Sequence, residues 1–279
     1  MSIRRTLAQL GLDPKKSLGQ SFMVEPRALQ RMVQAADLSP ADAVLEIGAG
    51  LGALTDLLAE RARRVVTVEV DGRFIPYLRR RYAHAPNVEV VHADILQADL
   101  AHLMGADAEA YKALGNLPYY ITSAILRHLL ESPTPPRLLV LTVQREVAER
   151  ITAAPGAMSL LAVSVQFYGT PQIVARLKAG SFYPPPEVES AIVRIEPRTG
   201  GPLLPSHEAE RFFRIVRAGF GQPRKQLRNS LAAALPLEAQ KVVDWLTAAG
   251  IDPRRRPESL ALEEWLALYR TAPPLEGEP

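Results

Sequence analysis

The 279-residue chain contains no cysteine. Disulfides, thiolate nucleophiles and cysteine-held zinc are therefore excluded from its chemistry. Its five histidines, His84, His92, His102, His128 and His207, do not fall at metal-ligand spacing, so no metal centre is expected. No apolar run approaches the ~18 residues that a membrane span needs. The basic start, Met1 to Lys16, lacks the continuous apolar stretch of a secretory signal, and residues suited to function begin at Lys15. These absences together predict a cytoplasmic protein. An excess of charge of one sign is also missing: the net charge is +3, too small to name a partner by itself. What the chain does have is a hydrophobic content of 47%, enough at this length for one sizeable core or for a main domain plus a small one.

Apolar runs alternate with helical patterns along the first half. Strands are predicted at Ala43 to Ile47, Val65 to Val70, Val88 to His92, Tyr111 into Asn116, and Arg137 to Val143. Helices are predicted at Pro26 to Ala36, Ala53 to Ala62, Arg73 to Tyr82, Thr122 to Leu130 and Arg145 to Ala153. This alternation predicts an α/β, doubly wound parallel sheet. The nearly all-apolar run from Arg137 to Val143 belongs in its interior. Gln172 to Lys178 and Glu189 to Glu196 are expected to add a hairpin at one edge. Beyond Pro197-Arg198-Thr199-Gly200-Gly201-Pro202 no strand pattern survives, and 207–218, 223–234, 237–249 and 259–270 are expected to be helical. The expected division is therefore residues 1–200, with a basic lead-in over 1–40, and an all-α domain over 201–279. The tail from Pro273 to Pro279 is expected to be irregular.

The stretch Gly115-Asn116-Leu117-Pro118-Tyr119-Tyr120 closes the fourth strand. It sets a side-chain amide, a proline-stiffened turn and two aromatic rings side by side. It also falls at the carboxyl end of a strand, the crevice where doubly wound sheets bind ligands. Such parts suit a flat ring carrying an amino group, and adenine is one. The N6 lone pair of adenine is delocalised into the ring, so the nitrogen is a poor nucleophile. Two acceptors on its N–H bonds, the Asn116 side-chain oxygen and the Leu117 carbonyl, favour a pyramidal nitrogen. Tyr119 can stack on the extruded base. The plainer alternative is an Asn-Pro-type turn with core aromatics.

Gly48, Gly50 and Ala53 follow the first strand in the loose G-x-G-x-x-G/A pattern, and Glu69 closes the second strand about 20 residues on. Glycines there let a ligand approach the backbone, and the acid can take both hydroxyls of a ribose. The pair does not separate a dinucleotide from S-adenosylmethionine (SAM). Asp94, at the tip of the third strand, can accept from an adenine amino group, or it can simply cap a turn. Phe182, in the stiff loop Ser181-Phe182-Tyr183-Pro184-Pro185-Pro186, is a candidate second wall for a base, or a buried ring under a rigid connection. Arg211, Arg214, Arg217, Arg224, Lys225 and Arg228 span a stretch with no acidic residue, which makes a candidate phosphate-binding stripe or a solvated helix face.

With these residues in place the chain resembles the small-subunit (16S) rRNA adenine N6,N6-dimethyltransferase family, the kasugamycin-sensitivity methyltransferases. The similarity runs through Lys16 to Met23, Leu45 to Gly52, Glu69-Val70-Asp71, Ala93-Asp94, Gly115 to Tyr119, Phe182 to Ser190 and Phe220 to Leu227. It implies a Rossmann-like class I SAM-dependent methyltransferase domain followed by a small all-α domain that helps dock on the ribosomal particle. It implies that Gln20, Ser21, Met23, Gly48, Gly50, Glu69, Asp94 and Asn116 hold SAM and release S-adenosylhomocysteine. Asn116, Leu117, Tyr119 and Phe182 would hold the target base, and Arg217, Arg224, Lys225 and Arg228 the RNA. The implied substrate is a pair of adjacent adenosines in a stem-loop near the 3′ end of small-subunit rRNA. The implied setting is an immature subunit, met by a monomeric enzyme with no metal and no membrane contact. The family usually has asparagine where this chain has Ser21, whose hydroxyl can still donate to the cofactor carboxylate. Tyr120 also replaces a commoner asparagine. The alternatives are a large-subunit rRNA methyltransferase of the macrolide-resistance type, a non-catalytic assembly or transcription factor on the same fold, and a nicotinamide-dependent dehydrogenase. The last would need a catalytic histidine or a Ser-Tyr-Lys set that is not placed for it.

Overall fold

The computed structural model describes residues 3–222 and 224–275. The end of the tail expected to be irregular, from residue 276, lies outside the described residues, as does Pro223 at the start of one expected helix. The described residues form two compact units, one running up to 148 and including 170–197, the other made of 149–169 and the residues from 198 on.

The first unit begins with α1 (Ile3–Leu10), β1 (Phe22–Met23) and α2 (Pro26–Ala35). The run continues through β2 (Ala43–Ile47), α3 (Ala53–Ala59), β3 (Arg64–Glu69), α4 (Ile75–Arg81) and β4 (Val88–His92). Then come α5 (Leu100–Met104), β5 (Tyr111–Asn116), α6 (Thr122–Leu130), β6 (Leu138–Gln144) and the start of α7 (Arg145–Ile151). After an excursion into the second unit the chain returns as β7 (Gly169–Leu177), β8 (Phe182–Tyr183) and β9 (Ser190–Pro197).

Seven strands make one sheet in the order β4-β3-β2-β5-β6-β9-β7. β4 through β6 run parallel, and β9 lies antiparallel to β6. β2 is buried at every position and β6 at all but its last, which is why their sequences are mostly apolar without alternation, Glu46 and Thr142 being buried polar exceptions. β7, at one edge, alternates instead between exposed and partly buried residues. From β2 the chain builds outward through β3 and β4, then crosses back to place β5 on the other side. The crevice of a doubly wound sheet opens at that reversal. Ile47 lies level with Gly115 across it. Because β9 is antiparallel, Ser190 enters the sheet beside Gln144, at the same end as the crevice.

Several elements were not read from the pattern: α1, α5, the β1–β8 pair and α8. β1 and β8 form a separate two-stranded pair, each too short to show a period. α8 (Leu160–Tyr168) begins at Ser159, whose hydroxyl accepts from the Ala162 N–H at 3.1 Å. The sequence expectation drew one boundary near residue 200. The second unit instead takes in α8 as well, because Ala162, Val163 and Phe167 are fully buried among Phe212, Ile215 and Val216. The rest of that unit is α9 (Ser206–Phe220), α10 (Leu227–Ala234), α11 (Ala239–Ala248) and α12 (Leu262–Arg270). Phe167 stacks on Phe212 at 4.9 Å, and the Trp245 indole N–H donates to the Leu268 carbonyl at 2.8 Å. None of the described helices is long and apolar enough to cross a membrane.

Candidate active site

The carboxyl ends of β2, β3 and β5, with the turn after β4, surround an open cleft, at the place where doubly wound sheets bind ligands. Its walls include the segment from Leu18 to Phe22, Gly48, Gly50, Glu69, Asp94 and the run from Asn116 to Tyr119.

Glu69 is 5% exposed, and both of its oxygens are held by backbone. The Gly50 N–H donates to Oε2 at 2.8 Å and the Asp71 N–H to Oε1 at 2.9 Å. The first of these bonds requires Gly50 to take φ +54°, and a Cβ there would lie 3.0 Å from the Phe22 ring. Burial pushes the Glu69 carboxyl above its ordinary range, and the backbone donors pull it partly back. Each carboxylate oxygen keeps a second lone pair. The group is thus a fixed acceptor for two hydroxyls. Asp94 caps the single turn Ile95–Gln97 by accepting from the Leu96 N–H at 3.0 Å on Oδ1. A cap uses one oxygen, so the capping and ligand readings of this residue are compatible.

Asn116 donates from Nδ2 to the Ser21 carbonyl at 2.7 Å. A carbonyl oxygen only accepts, so the orientation of the amide is fixed and Oδ1 is left for another donor. The Leu117 N–H donates to the Thr142 carbonyl at 3.2 Å, while the Leu117 carbonyl accepts no hydrogen bond among the described residues. Tyr119 opens the single turn Tyr119–Ile121, and its hydroxyl lies 2.5 Å from that of the fully buried Ser190. Burial raises the phenol's pKa above its usual value, so it stays neutral. Amide, carbonyl and ring therefore stand together on the wall that the sequence assigned to the base.

The segment ahead of β1 is strapped across the cleft. Gln20 donates from Nε2 to Asp71 Oδ2 at 2.9 Å and accepts from the Lys15 N–H at 2.8 Å. Arg73 pairs with Asp71 at 2.6 Å and holds its carboxyl well below the usual range. Ser21 spends its hydroxyl proton on the Pro184 carbonyl at 2.7 Å, so donation to a cofactor carboxylate is not what this side chain does here. It ties the strap to the proline loop instead.

Two expected site residues stand elsewhere. Met23 and Phe182 are not on the cleft wall. They face each other across the β1–β8 pair, and Phe182, at 3% exposed, is buried with Met32, Leu177 and Ile192. Period-2 alternation is the reason. Phe22, one residue earlier than Met23, takes the cleft side and leaves Met23 and its partner Phe182 to the core. Conversely, Asp71 and Ser190 entered the sequence reading only as members of the resembling stretches, with no role given to either; here they anchor the strap and Tyr119. In the second unit Arg217, Arg224 and Lys225 are exposed and Arg228 is half-buried. Arg211 from the same stripe turns inward and donates to the Pro273 carbonyl at 3.0 Å.

The ribosomal RNA adenine dimethylase family matches residues 11–272. The chain belongs to this family. It is 45% identical, over 92% of its length and 88% of the relative's, to "Ribosomal RNA small subunit methyltransferase A" of Dehalococcoides mccartyi. Among solved structures it is similar to the 23S rRNA methyltransferase ErmE, at 33% identity and TM-score 0.72, covering 90% of this chain and 98% of that one. A dimethyladenosine transferase from Plasmodium falciparum, at 24% identity and TM-score 0.74, covers 88% of this chain and 95% of its own, and shares the fold. The sheet is accordingly that of a class I methyltransferase, and SAM is the dimethylase's cofactor. The cleft fits it: a locked carboxylate for a ribose diol, a second acid for an amino group, and Val70 and Ile95 as apolar walls for a flat ring.

Proposed function

We propose that the chain dimethylates N6 of two adjacent adenosines in a stem-loop near the 3′ end of small-subunit rRNA. It does so in the cytoplasm, as a monomer acting on an immature small subunit, and without a metal. The observation that carries the chemistry is the Asn116 amide pinned by the Ser21 carbonyl. An unpinned amide would present either end to the substrate, whereas this one offers an oxygen.

SAM, when bound, supplies a methyl group already made electrophilic by its sulfonium. Glu69, Asp94, Gly48, Gly50 and the strap at Gln20 and Ser21 are the residues that would hold it. Toward the base, Asn116 Oδ1 and the Leu117 carbonyl take the two N6 hydrogens, which directs the lone pair away from them. Each transfer leaves the nitrogen cationic, and it releases one proton to water; after the first round a single N–H remains, and either acceptor can serve it, so the same wall suits both rounds. Tyr119 supplies the stacking face, held in place by Ser190. Phe182 supports the loop from the core. Since the chemistry needs no general base of shifted pKa, positioning does most of the work. The base must leave its stack to reach this wall, so free adenosine should be a poor substrate.

The second unit docks on the particle, with Arg217, Arg224, Lys225 and Arg228 on phosphates. Support comes from exposure in the stripe and from the relatives named for the small subunit. The test is incubation with labelled SAM and undermethylated small subunits, followed by mapping of the product. Two methyl groups on each of two neighbouring adenosines near the 3′ end are expected. Label in large-subunit RNA instead would overturn the assignment in favour of the activity carried in the name of ErmE.

A further inference from the structure

Tyr120 is 63% exposed, more than Val24, Val70, Val174 or Val188, the other exposed large apolar side chains among the described residues. It directly follows Tyr119 on the same single turn. Tyr119 lines the cleft and Tyr120 does not. Its ring lies against the rim: a Cβ on Gly19 would stand 3.3 Å from Tyr120 Cδ1 and 3.4 Å from Pro118 Cβ, and both Gly19 and Pro118 are cleft-wall residues. Gly19, at φ +59°, ends the turn Lys16–Leu18, and its N–H donates to the Lys16 carbonyl at 2.9 Å. Lys16 is exposed and has no ion-pair partner among the described residues.

A phenol ring backed by a glycine on one side and left mostly in water contributes little to the fold. An exposed ring against Gly19, with an exposed lysine three residues before that glycine and a cleft for one base next to it, matches how single-stranded nucleic acid is held, by stacking and phosphate contact. Adjacent positions in the protein, 119 and 120, then serve adjacent nucleotides. We propose that Tyr120 stacks on the nucleobase next to the adenine being methylated and that Lys16 takes a phosphate of that nucleotide. This deepens the reading that the adenine enters at Asn116 to Tyr119, and it rests on that reading.

The test is steady-state methylation of undermethylated small subunits by the wild type, Tyr120→Leu, Tyr120→Phe and Lys16→Gln, with SAM affinity measured separately. Tyr120→Leu should raise KM for the particle about ten-fold while Tyr120→Phe stays within about two-fold of wild type, because the ring and not the hydroxyl stacks. SAM affinity should be unchanged in both, which also serves as the check on folding. Lys16→Gln should lower the salt dependence of KM. An unaltered KM in Tyr120→Leu would overturn the proposal, as would Tyr120→Phe being as impaired as Tyr120→Leu. A parallel loss of SAM affinity would also overturn it, because the ring would then be supporting the strap at Gly19. Failure of the underlying site reading looks different: Asn116→Ala would keep its kcat, whatever Tyr120 does.

Discussion

Glu46 lies on β2 beneath the glycine turn and is 1% exposed. Thr55 donates its hydroxyl to Oε2 at 2.6 Å, whereas Oε1 has no partner among the described residues. Thr67, level with it on β3, has an equally unpartnered buried hydroxyl oxygen. Burial, with the nearby negative charges of Glu69 and Asp56, pushes the Glu46 carboxyl from its ordinary 4.5 up to about 7. The linkage sign follows. Between those two values the folded chain keeps the proton and the unfolded chain loses it. The unfolded state then binds fewer protons, so stability falls as pH rises. At about 1.4 kcal/mol per pH unit over that window, the loss is about 3 kcal/mol, complete above pH ~7. Glu46→Gln keeps the shape, cannot ionise, and brings an N–H that can donate to Thr67. The difference in unfolding free energy between Glu46→Gln and wild type should therefore grow in favour of the variant by about 3 kcal/mol from pH ~4.5 to ~7.5. Other titrating groups are common to both proteins and cancel. Both tryptophans, Trp245 and Trp265, lie in the second unit, so their fluorescence would follow the wrong transition. Hydrogen exchange at the β2 and β3 amides of the ligand-free protein, read by mass spectrometry in urea, reports the right one. A difference that stays constant across this pH range would refute the reasoning and show that Glu46 is ionised in the fold or solvated.

Asn116→Ala should lower kcat by about 10²–10³, the scale for removing one preorganised hydrogen-bond partner, as single-turnover methylation would record. It should also weaken SAM binding about five-fold by freeing the strap at Ser21, which titration calorimetry can read. Tyr119→Phe keeps the ring and orphans the buried Ser190 hydroxyl; the expected result is a stability loss of about 1–2 kcal/mol in denaturant with methylation retained, whereas Tyr119→Ala should lose both. Replacing Arg224 and Lys225 together by glutamine should reduce the slope of log affinity against log salt by about 1–2, measured by filter binding to small-subunit RNA; an unchanged slope would leave the stripe as a solvated surface.

The family, the sheet and most residues of the cleft wall were legible in the chain because each is encoded locally. Strand and helix periods reside in windows of a few residues, and the Gly48 turn, Glu69, Asp94 and the Asn116 to Tyr119 run each sit at the end of a strand that the same windows reveal. Tertiary structure alone decided what depends on partners distant in sequence. The Asn116 amide meets a carbonyl 95 residues earlier, and the Ser21 hydroxyl is consumed by Pro184, 163 residues later. The β1–β8 register sends Phe182 and Met23 to the core, a choice that two-residue strands cannot announce because one step of slip reverses every face. The largely apolar α8, with Ser164 and Gln166 as its polar residues, likewise gave no clear period from which to learn which core would bury it. A sequence sets which groups are available at each strand end; the packing of segments far apart in the chain fixes which atom of each group is left over to do chemistry.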